Sequence, residues 1–211
     1  MPASVTAEPD PLWMKPSRAY NLHAEVGPGC LERFTELQRS FHRAGTVVCP
    51  PESLHLSVAT LLSVREDYGA PKDLIWSRWG AEWVEDLRAL AGSLRPFEVN
   101  FNSLRVSQAA VFAAASPVQE VDQLRARAAE LLGRAGLKAD QPSILHCTLL
   151  RYDSSAVDLV ALERSARETE LNVTTLLTSL VIFKVFVYPN LVREVIDRLQ
   201  LGAGAAPPER S

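Results

Sequence analysis

Two short segments that alternate apolar and polar residues constrain the fold of this chain most strongly, because each carries a histidine and a hydroxyl two positions apart. Residues 54–61 read Leu-His-Leu-Ser-Val-Ala-Thr-Leu, and residues 144–150 read Ile-Leu-His-Cys-Thr-Leu-Leu. Alternation of this kind predicts half-buried strands. Positions i and i+2 of a strand lie on one face, so each segment should present its histidine and hydroxyl together while the apolar neighbours cover a core.

Strands and helices alternate along the rest of the chain in two rounds, each containing one of these segments. Alternating or β-branched runs predict further strands at residues 20–26, 97–101, 110–114 and 180–188. Apolar residues at helical spacing predict helices at residues 31–44, 73–91, 118–132 and 157–168. Residues 190–200 are predicted to add a terminal amphipathic helix.

This order predicts an α+β fold built from two pseudo-symmetric lobes, roughly residues 18–92 and 93–188. We expect each lobe to be an antiparallel sheet with helices packed outside, around a central cleft. Residues 1–17, with four prolines, and residues 201–211, rich in glycine, alanine and proline, are predicted to be disordered tails.

Composition excludes several classes of protein. With 22 basic and 25 acidic side chains the formal net charge is −3, so no global positive field attracts long nucleic acid. Cys30, Cys49 and Cys147 are odd in number and lack C-x-x-C spacing, which favours free thiols over a disulfide framework or a zinc knuckle. No stretch reaches ~18 uninterrupted apolar residues, and residues 1–17 lack a signal-peptide pattern. We therefore predict a cytoplasmic protein, monomeric by default, with no membrane partner.

Two such strands facing each other across a cleft would bring together a chemically useful set of groups. His55 and His146 supply one imidazole able to accept a proton and one able to donate it. Ser57 and Thr148 supply hydroxyls for the non-bridging oxygens of a phosphate. This set suits the opening of a phosphodiester. The alternative is that both are core histidines whose ring nitrogens are satisfied by neighbouring hydroxyls.

Paired H-x-[ST]-hydrophobic motifs in the two halves of a chain of about this length resemble the 2H phosphoesterase superfamily. The sequence looks like the bacterial 2'-5' RNA ligase and RNA 2',3'-cyclic phosphodiesterase members. The layout agrees over residues 18–188, and the specific matches lie in residues 51–58 and 145–151. In that bacterial family an arginine often follows the second motif, and Arg151 matches it. The first motif departs in having Ser57 where threonine is commoner, and few basic residues can be placed near the site.

The resemblance implies acid-base catalysis without a metal or cofactor, with His55 and His146 as the catalytic pair and Ser57 and Thr148 holding the phosphate. It implies as substrate a 2',3'-cyclic phosphate or 2'-5' phosphodiester, at an RNA end or in a small nucleotide, with ligase activity possible. Which histidine is the base stays open. The rival hypothesis is a non-catalytic nucleotide- or phosphate-binding module on the same fold.

Further residues are candidates for the same cleft. Arg151 would add donors for the phosphate, but five residues after His146 it points to the opposite face of a regular strand unless the strand ends or bulges. His23 could line the cleft from the first strand, or could be a partly exposed residue without a role. His42 is predicted to lie on a solvated helix face. A zinc site from His23, His55 and His146 lacks any supporting ligand spacing.

Aromatic residues give two patterns. Trp76, Trp79 and Trp83 are spaced as the buried face of a helix, which favours core packing over a base-stacking platform. The better candidates for stacking on a base lie at strand ends: Tyr20, Tyr152 and Tyr188.

Overall fold

The computed structural model describes residues 6–202, and this part of the chain contains nine strands and four α-helices. The strands are Pro16–Glu25 (β1), Thr46–Val48 (β2), His55–Leu62 (β3), Phe97–Val106 (β4), Ala110–Ala115 (β5), His146–Tyr152 (β6), Val173–Leu177 (β7), Ser179–Val187 (β8) and Val192–Gln200 (β9). The helices are Pro28–Phe41 (α1), Lys72–Ser93 (α2), Gln119–Arg134 (α3) and Leu159–Glu168 (α4). The four long predicted helices and six predicted strands are all present, with shifted ends. The sequence reading missed β2 and β7.

The strands form two antiparallel sheets. The first sheet has the order β3-β1-β8-β9 and the second has the order β2-β6-β5-β4-β7. Helices α2 and α3 pack against the first sheet, and α1 and α4 pack against the second. The predicted α+β architecture of two lobes, each an antiparallel sheet with helices outside, is confirmed.

The predicted boundaries of the lobes, 18–92 and 93–188, are wrong because the two halves of the chain exchange elements. From the first half, β2 pairs with β6 and α1 packs on the second sheet. From the second half, β8 and β9 join the first sheet, and α3 packs on β3. Alternation along a strand identifies its buried face but not its partner, so sequence order suggested contiguous lobes.

The prediction of a terminal helix at residues 190–200 is also wrong. Val192–Gln200 is strand β9, which pairs antiparallel with β8 along most of its length. Leu191, Val195 and Leu199 recur every four residues, which imitates a helical stripe. The long β8 would otherwise present a row of unpaired backbone groups at the sheet edge, and pairing with β9 satisfies them.

The two predicted tails are partly ordered. Residues 6–15 pack along the domain before β1 begins, with Ala7 and Asp10 buried and the Glu8 N–H donating to the Gln108 carbonyl. At the other end Leu201 is buried and its N–H donates to the Thr178 carbonyl. The predictions for residues 1–5 and 203–211 lie outside the described residues.

The core agrees with the apolar patterns in the sequence. Trp83 is fully buried, and Trp76 and Trp79 pack partly buried against the core, so the tryptophan stripe of α2 is a packing face. The three cysteines are buried and unpaired in disulfides, as expected. Within residues 6–202 no helix combines the length and apolarity needed to cross a membrane.

Candidate active site

A cleft of about 250 Å³ lies between the two sheets and contains both histidine motifs. Its first wall carries His55 and Ser57 from β3, and its second wall carries His146 and Thr148 from β6. On both strands the histidine and hydroxyl are half-buried while the residues between and after them are buried. The strand periodicity therefore places all four side chains as the sequence predicted.

Each motif histidine is oriented by the backbone carbonyl two residues before it. His55 Nδ1 lies 2.6 Å from the Ser53 carbonyl oxygen, and His146 Nδ1 lies 3.5 Å from the Ile144 carbonyl oxygen. A carbonyl can only accept, so the neutral His55 ring carries its proton on Nδ1, and the longer contact of His146 favours the same tautomer. Nε2 is then the nitrogen with a free lone pair in both rings.

A β-bulge follows the hydroxyl in both motifs. Val58 is the extra residue of β3 and Leu149 the extra residue of β6, as the shifts in pairing show: Leu22↔Ala59 then His23↔Ser57 in one sheet, and Val111↔Leu150 then Phe112↔Thr148 in the other. A bulge returns the following residues to the other face of the strand. Thr60 and Arg151, each five residues after its histidine, therefore line the cleft. The bulge meets the condition for placing Arg151 in the site.

The carbonyl of each bulged residue is held by a side chain from an outer helix. Arg125 Nε on α3 donates to the Val58 carbonyl at 3.0 Å, and Gln38 Nε2 on α1 donates to the Leu149 carbonyl at 2.9 Å. Arg125 Nη2 also donates to the Ile144 carbonyl, the acceptor of His146. Sequence reasoning missed both residues. The sequence signal for Gln38 was its position as a polar residue on the inner side of an amphipathic helix, where it is fully buried.

His55 is packed against two residues from other strands and loops. The ring of His23 stacks on it with 4.1 Å between centroids and an interplanar angle of 23°. Asn190 Nδ2 lies 3.1 Å from His55 Nε2, 3.3 Å from its Nδ1 and 3.3 Å from His23 Nδ1. An atom nearly equidistant from both nitrogens of a ring lies off the lone-pair axis of each, so the amide packs against His55 without occupying Nε2.

Asn190 has the features of a residue held for a function. It is buried, its φ is 141°, and its Oδ1 is buried without a hydrogen-bond partner among the described residues. A non-glycine residue at positive φ is costly and persists where its surroundings require it. Asn190 follows a predicted strand end and was not singled out from the sequence. His23 was, and it lines the cleft fully buried rather than partly exposed.

The histidines differ in their electrostatic environment. Burial lowers the pKa of His55 to about 4, with smaller contributions from the nearby Arg193, His146 and Arg151. Burial also lowers the pKa of His146, with Arg151 and Arg125 adding to the effect. The pKa of His23 lies well below its ordinary value because of burial and then because of His55. Desolvation disfavours each imidazolium, so all three rings are neutral near pH 7 in the free protein.

The cleft is more basic than the composition suggested. Arg65 lines it together with Arg151, and among residues 6–202 no carboxylate lines it. Arg65 lies beyond β3 with no motif to indicate it, and sequence reasoning missed it. Both guanidiniums bind one carboxylate, Asp10, so one positive charge remains in excess, and this favours an anionic ligand although the whole chain carries a formal charge of −3.

Of the remaining residues singled out from the sequence, one lines the cleft and the others do not. Tyr188 lines the cleft, as predicted for a stacking residue. Tyr20 does not: it is buried, stacks on Trp76 with 4.3 Å between centroids, and donates its hydroxyl to Asp73 at 2.7 Å. Tyr152 is likewise buried outside the cleft lining. Both face the packed interior because the strand alternation puts them there, so the expectation that they line the cleft is wrong. His42 is exposed at the end of α1.

No group of three or more histidine, cysteine, aspartate and glutamate side chains within residues 6–202 is arranged to hold a metal ion. His23, His55 and His146 all line the cleft, but they do not form such a group.

Two antiparallel sheets that each contribute a His-x-Ser/Thr pair to one shared cleft define the two-motif phosphoesterase class. Comparison with known proteins agrees. The model of the 2'-5' RNA ligase superfamily matches residues 26–185, which is most of the chain. The chain therefore belongs to the 2'-5' RNA ligase superfamily, the 2H phosphoesterases, as the motifs predicted. Membership supports phosphodiesterase activity in general terms.

Solved structures show the same fold at low sequence identity. TT0787 of Thermus thermophilus is 18% identical with a TM-score of 0.67, over 90% of this chain and 100% of that one. E. coli LigT complexed with NADP+ is 17% identical with a TM-score of 0.61, over 89% and 99%. LigT complexed with 3'-AMP is 16% identical with a TM-score of 0.57, over 89% and 99%. No curated protein matches the chain significantly in sequence.

Proposed function

We propose that this protein is a metal-independent phosphodiesterase that opens a 2',3'-cyclic phosphate or cleaves a 2'-5' phosphodiester, at an RNA end or in a small nucleotide. The observation that carries the proposal is the pair of imidazoles, His55 and His146, that enter one cleft from opposite sheets with Nε2 free on each. The Ser57 and Thr148 hydroxyls lie on the same two walls.

The geometry supports division of labour between the two histidines. His55, with its pKa lowered to about 4 by burial, stays neutral and suits the base that takes a proton from water. His146 is less enclosed, and a bound phosphate would offset the nearby arginine charges that lower its pKa. It suits the acid that protonates the leaving ribose oxygen as the phosphorus–oxygen bond breaks. The product is a phosphomonoester in the cyclic case.

The hydroxyls would act on the phosphate itself. Ser57 and Thr148 can each donate to a non-bridging oxygen, where negative charge increases as water adds to phosphorus. Arg151 supplies positive charge to the same cleft. The LigT structures with 3'-AMP and with NADP+ contain nucleotides, and a nucleotide substrate for this chain is part of the proposal. The cytoplasmic location and the monomeric state stay predictions from the sequence.

The test is hydrolysis of 2',3'-cyclic nucleotides and 2'-5'-linked dinucleotides in EDTA by the wild type, His55→Ala and His146→Ala. General acid-base catalysis contributes about 10²–10⁴-fold, so each variant should lose activity on that scale. His42→Ala, an exposed histidine outside the cleft, is the matched control and should keep full activity. Equal rates in all four proteins would contradict the proposal. Binding of these compounds without turnover by the wild type would instead support the non-catalytic binding module.

A further inference from the structure

Arg65 and Arg151 converge on one carboxylate at the edge of the cleft. Arg65 Nη2 lies 2.6 Å from Asp10 Oδ2, and Arg151 Nη1 lies 3.2 Å from the same oxygen. The Asp10 side chain is only 3% exposed, and its Oδ1 accepts the Leu12 N–H. The ordered segment before β1 thus fixes the ends of two arginines that come from the two different walls.

The arginine pair has more binding capacity than Asp10 uses. One carboxylate against two guanidiniums leaves a net positive charge. Arg151 Nε is buried without a hydrogen-bond partner among the described residues. The Tyr188 ring lies beside both groups, 5.6 Å from the Arg65 guanidinium carbon and 5.4 Å from that of Arg151. A buried donor without a partner is costly in a folded protein, and a ligand that supplies an acceptor relieves that cost.

The two guanidinium groups are held by Asp10 rather than by the motif residues, although Arg151 is near enough to both motif histidines to lower their pKa values. Arg151 is five residues from His146 on β6, and at roughly 3.3 Å per residue their Cα atoms are on the order of 13–16 Å apart along the strand. The Arg151 guanidinium is turned toward Asp10 and the Trp13 ring. Both arginines nonetheless line the same cleft as the histidines.

We propose that Arg65 and Arg151, fixed by Asp10 and flanked by Tyr188, form a second anion subsite that binds a phosphate other than the one cleaved. The inference rests on the proposed function and narrows its substrate class. The substrate is a nucleotide or RNA end that carries at least one further phosphate beside the cyclic or 2'-5' ester. Guanidinium groups bind phosphate through two parallel charge-assisted hydrogen bonds, which gives this subsite direction as well as charge.

The test compares two substrates that differ by one phosphate: adenosine 2',3'-cyclic phosphate with and without a 5'-phosphate. The wild type should show at least about tenfold higher kcat/KM for the phosphorylated form, because a hydrogen bond to a charged group contributes about that factor or more. In Arg65→Gln the ratio of the two kcat/KM values should fall to about one. Arg78→Gln, an exposed arginine of α2 outside the cleft, is the control and should keep the ratio.

A binding measurement separates failure of the subsite from failure of the proposed function. Adenosine 3',5'-bisphosphate and adenosine 3'-monophosphate are titrated calorimetrically into the wild type and Arg65→Gln. Tighter binding of the bisphosphate by the wild type, lost in Arg65→Gln, supports the subsite even if no cyclic nucleotide is hydrolysed. If the wild type prefers neither the phosphorylated substrate nor the bisphosphate, the subsite is overturned, whether or not hydrolysis occurs. A preference that Arg65→Gln retains in both assays also overturns it.

Discussion

The two motif strands, β3 and β6, share one backbone arrangement. In both, the histidine ring is held by the carbonyl two residues before it, a hydroxyl follows two residues later, and a bulge comes next. In both, a side chain from an outer helix holds the carbonyl of the bulged residue. The two strands differ in what surrounds this arrangement.

His55 is enclosed by His23 and Asn190, whereas His146 meets the edge of the Phe112 ring at 5.1 Å between centroids. The position five residues after the histidine is Thr60 in the first strand and Arg151 in the second. The repeated backbone therefore positions two equivalent imidazoles, and their different neighbours give them different electrostatic surroundings. Two strands with the same backbone arrangement can therefore supply a base and an acid to one reaction.

Of the predictions that compare the two strands, the one with the largest expected effect concerns whether the two hydroxyls are equivalent. Ser57→Ala and Thr148→Val each remove one donor to the phosphate, and loss of such a donor costs about 10²–10³ in kcat. If the shared backbone determines their role, the two losses should agree within about tenfold. Ser77→Ala, on the outer helix α2, is the control and should leave kcat unchanged. A loss confined to one of the two strands would show that only that hydroxyl contacts the phosphate.

A smaller effect is expected on the pH profile, which tests whether the surroundings of His55 determine its pKa. The pH profile of kcat/KM should be bell-shaped, with the ascending limb near pH 4 from His55 and the descending limb below 6.5 from His146, since burial lowers both pKa values. Asn190→Gly keeps the positive φ but admits water beside His55. The pKa of His55 should rise, so the ascending limb alone moves up and kcat/KM falls about tenfold at most.

The control for this profile is Asn172→Gly, an exposed asparagine before β7, which should move neither limb. If Asn190→Gly moves the descending limb as well, the two histidines do not have separate surroundings. An unchanged profile would show that Asn190 has no effect on His55.

The smallest effect is on stability. Because the folded pKa values of His55 and His23 lie below the ordinary value near 6.5, the unfolded chain binds more protons between pH 4 and 6.5. The contribution of these two histidines to the free energy of unfolding should be constant above pH 6.5. It should fall with acidification below that pH, by at most about 1.4 kcal/mol per pH unit for each histidine. Denaturant titrations at several pH values should show that the free energy of unfolding depends less steeply on pH in His55→Gln than in the wild type.

Much of the site could be predicted because strand periodicity is local. His55, Ser57, His146 and Thr148 follow from alternation alone, and the cleft contains all four. Arg151 depended on a bulge, which alternation does not reveal, because both Leu149 and Leu150 are apolar and fit either face. Arg65 and Asn190 carry no local pattern, since each contacts residues distant in sequence, and Gln38 is marked only as a polar residue on the inner side of an amphipathic helix.

The sequence by itself determined the α+β class, the two motif strands, the long helices and the family, because these depend on periods of two and 3.6 residues and on one repeated motif. The tertiary structure decided which strands pair, that residues 190–200 form a strand, and which residues enclose each histidine. The physical reason is that backbone hydrogen bonds are the same for every residue, so pairing is selected by how all the buried faces fit together. The different surroundings of His55 and His146 result from this packing of the two sheets and their helices.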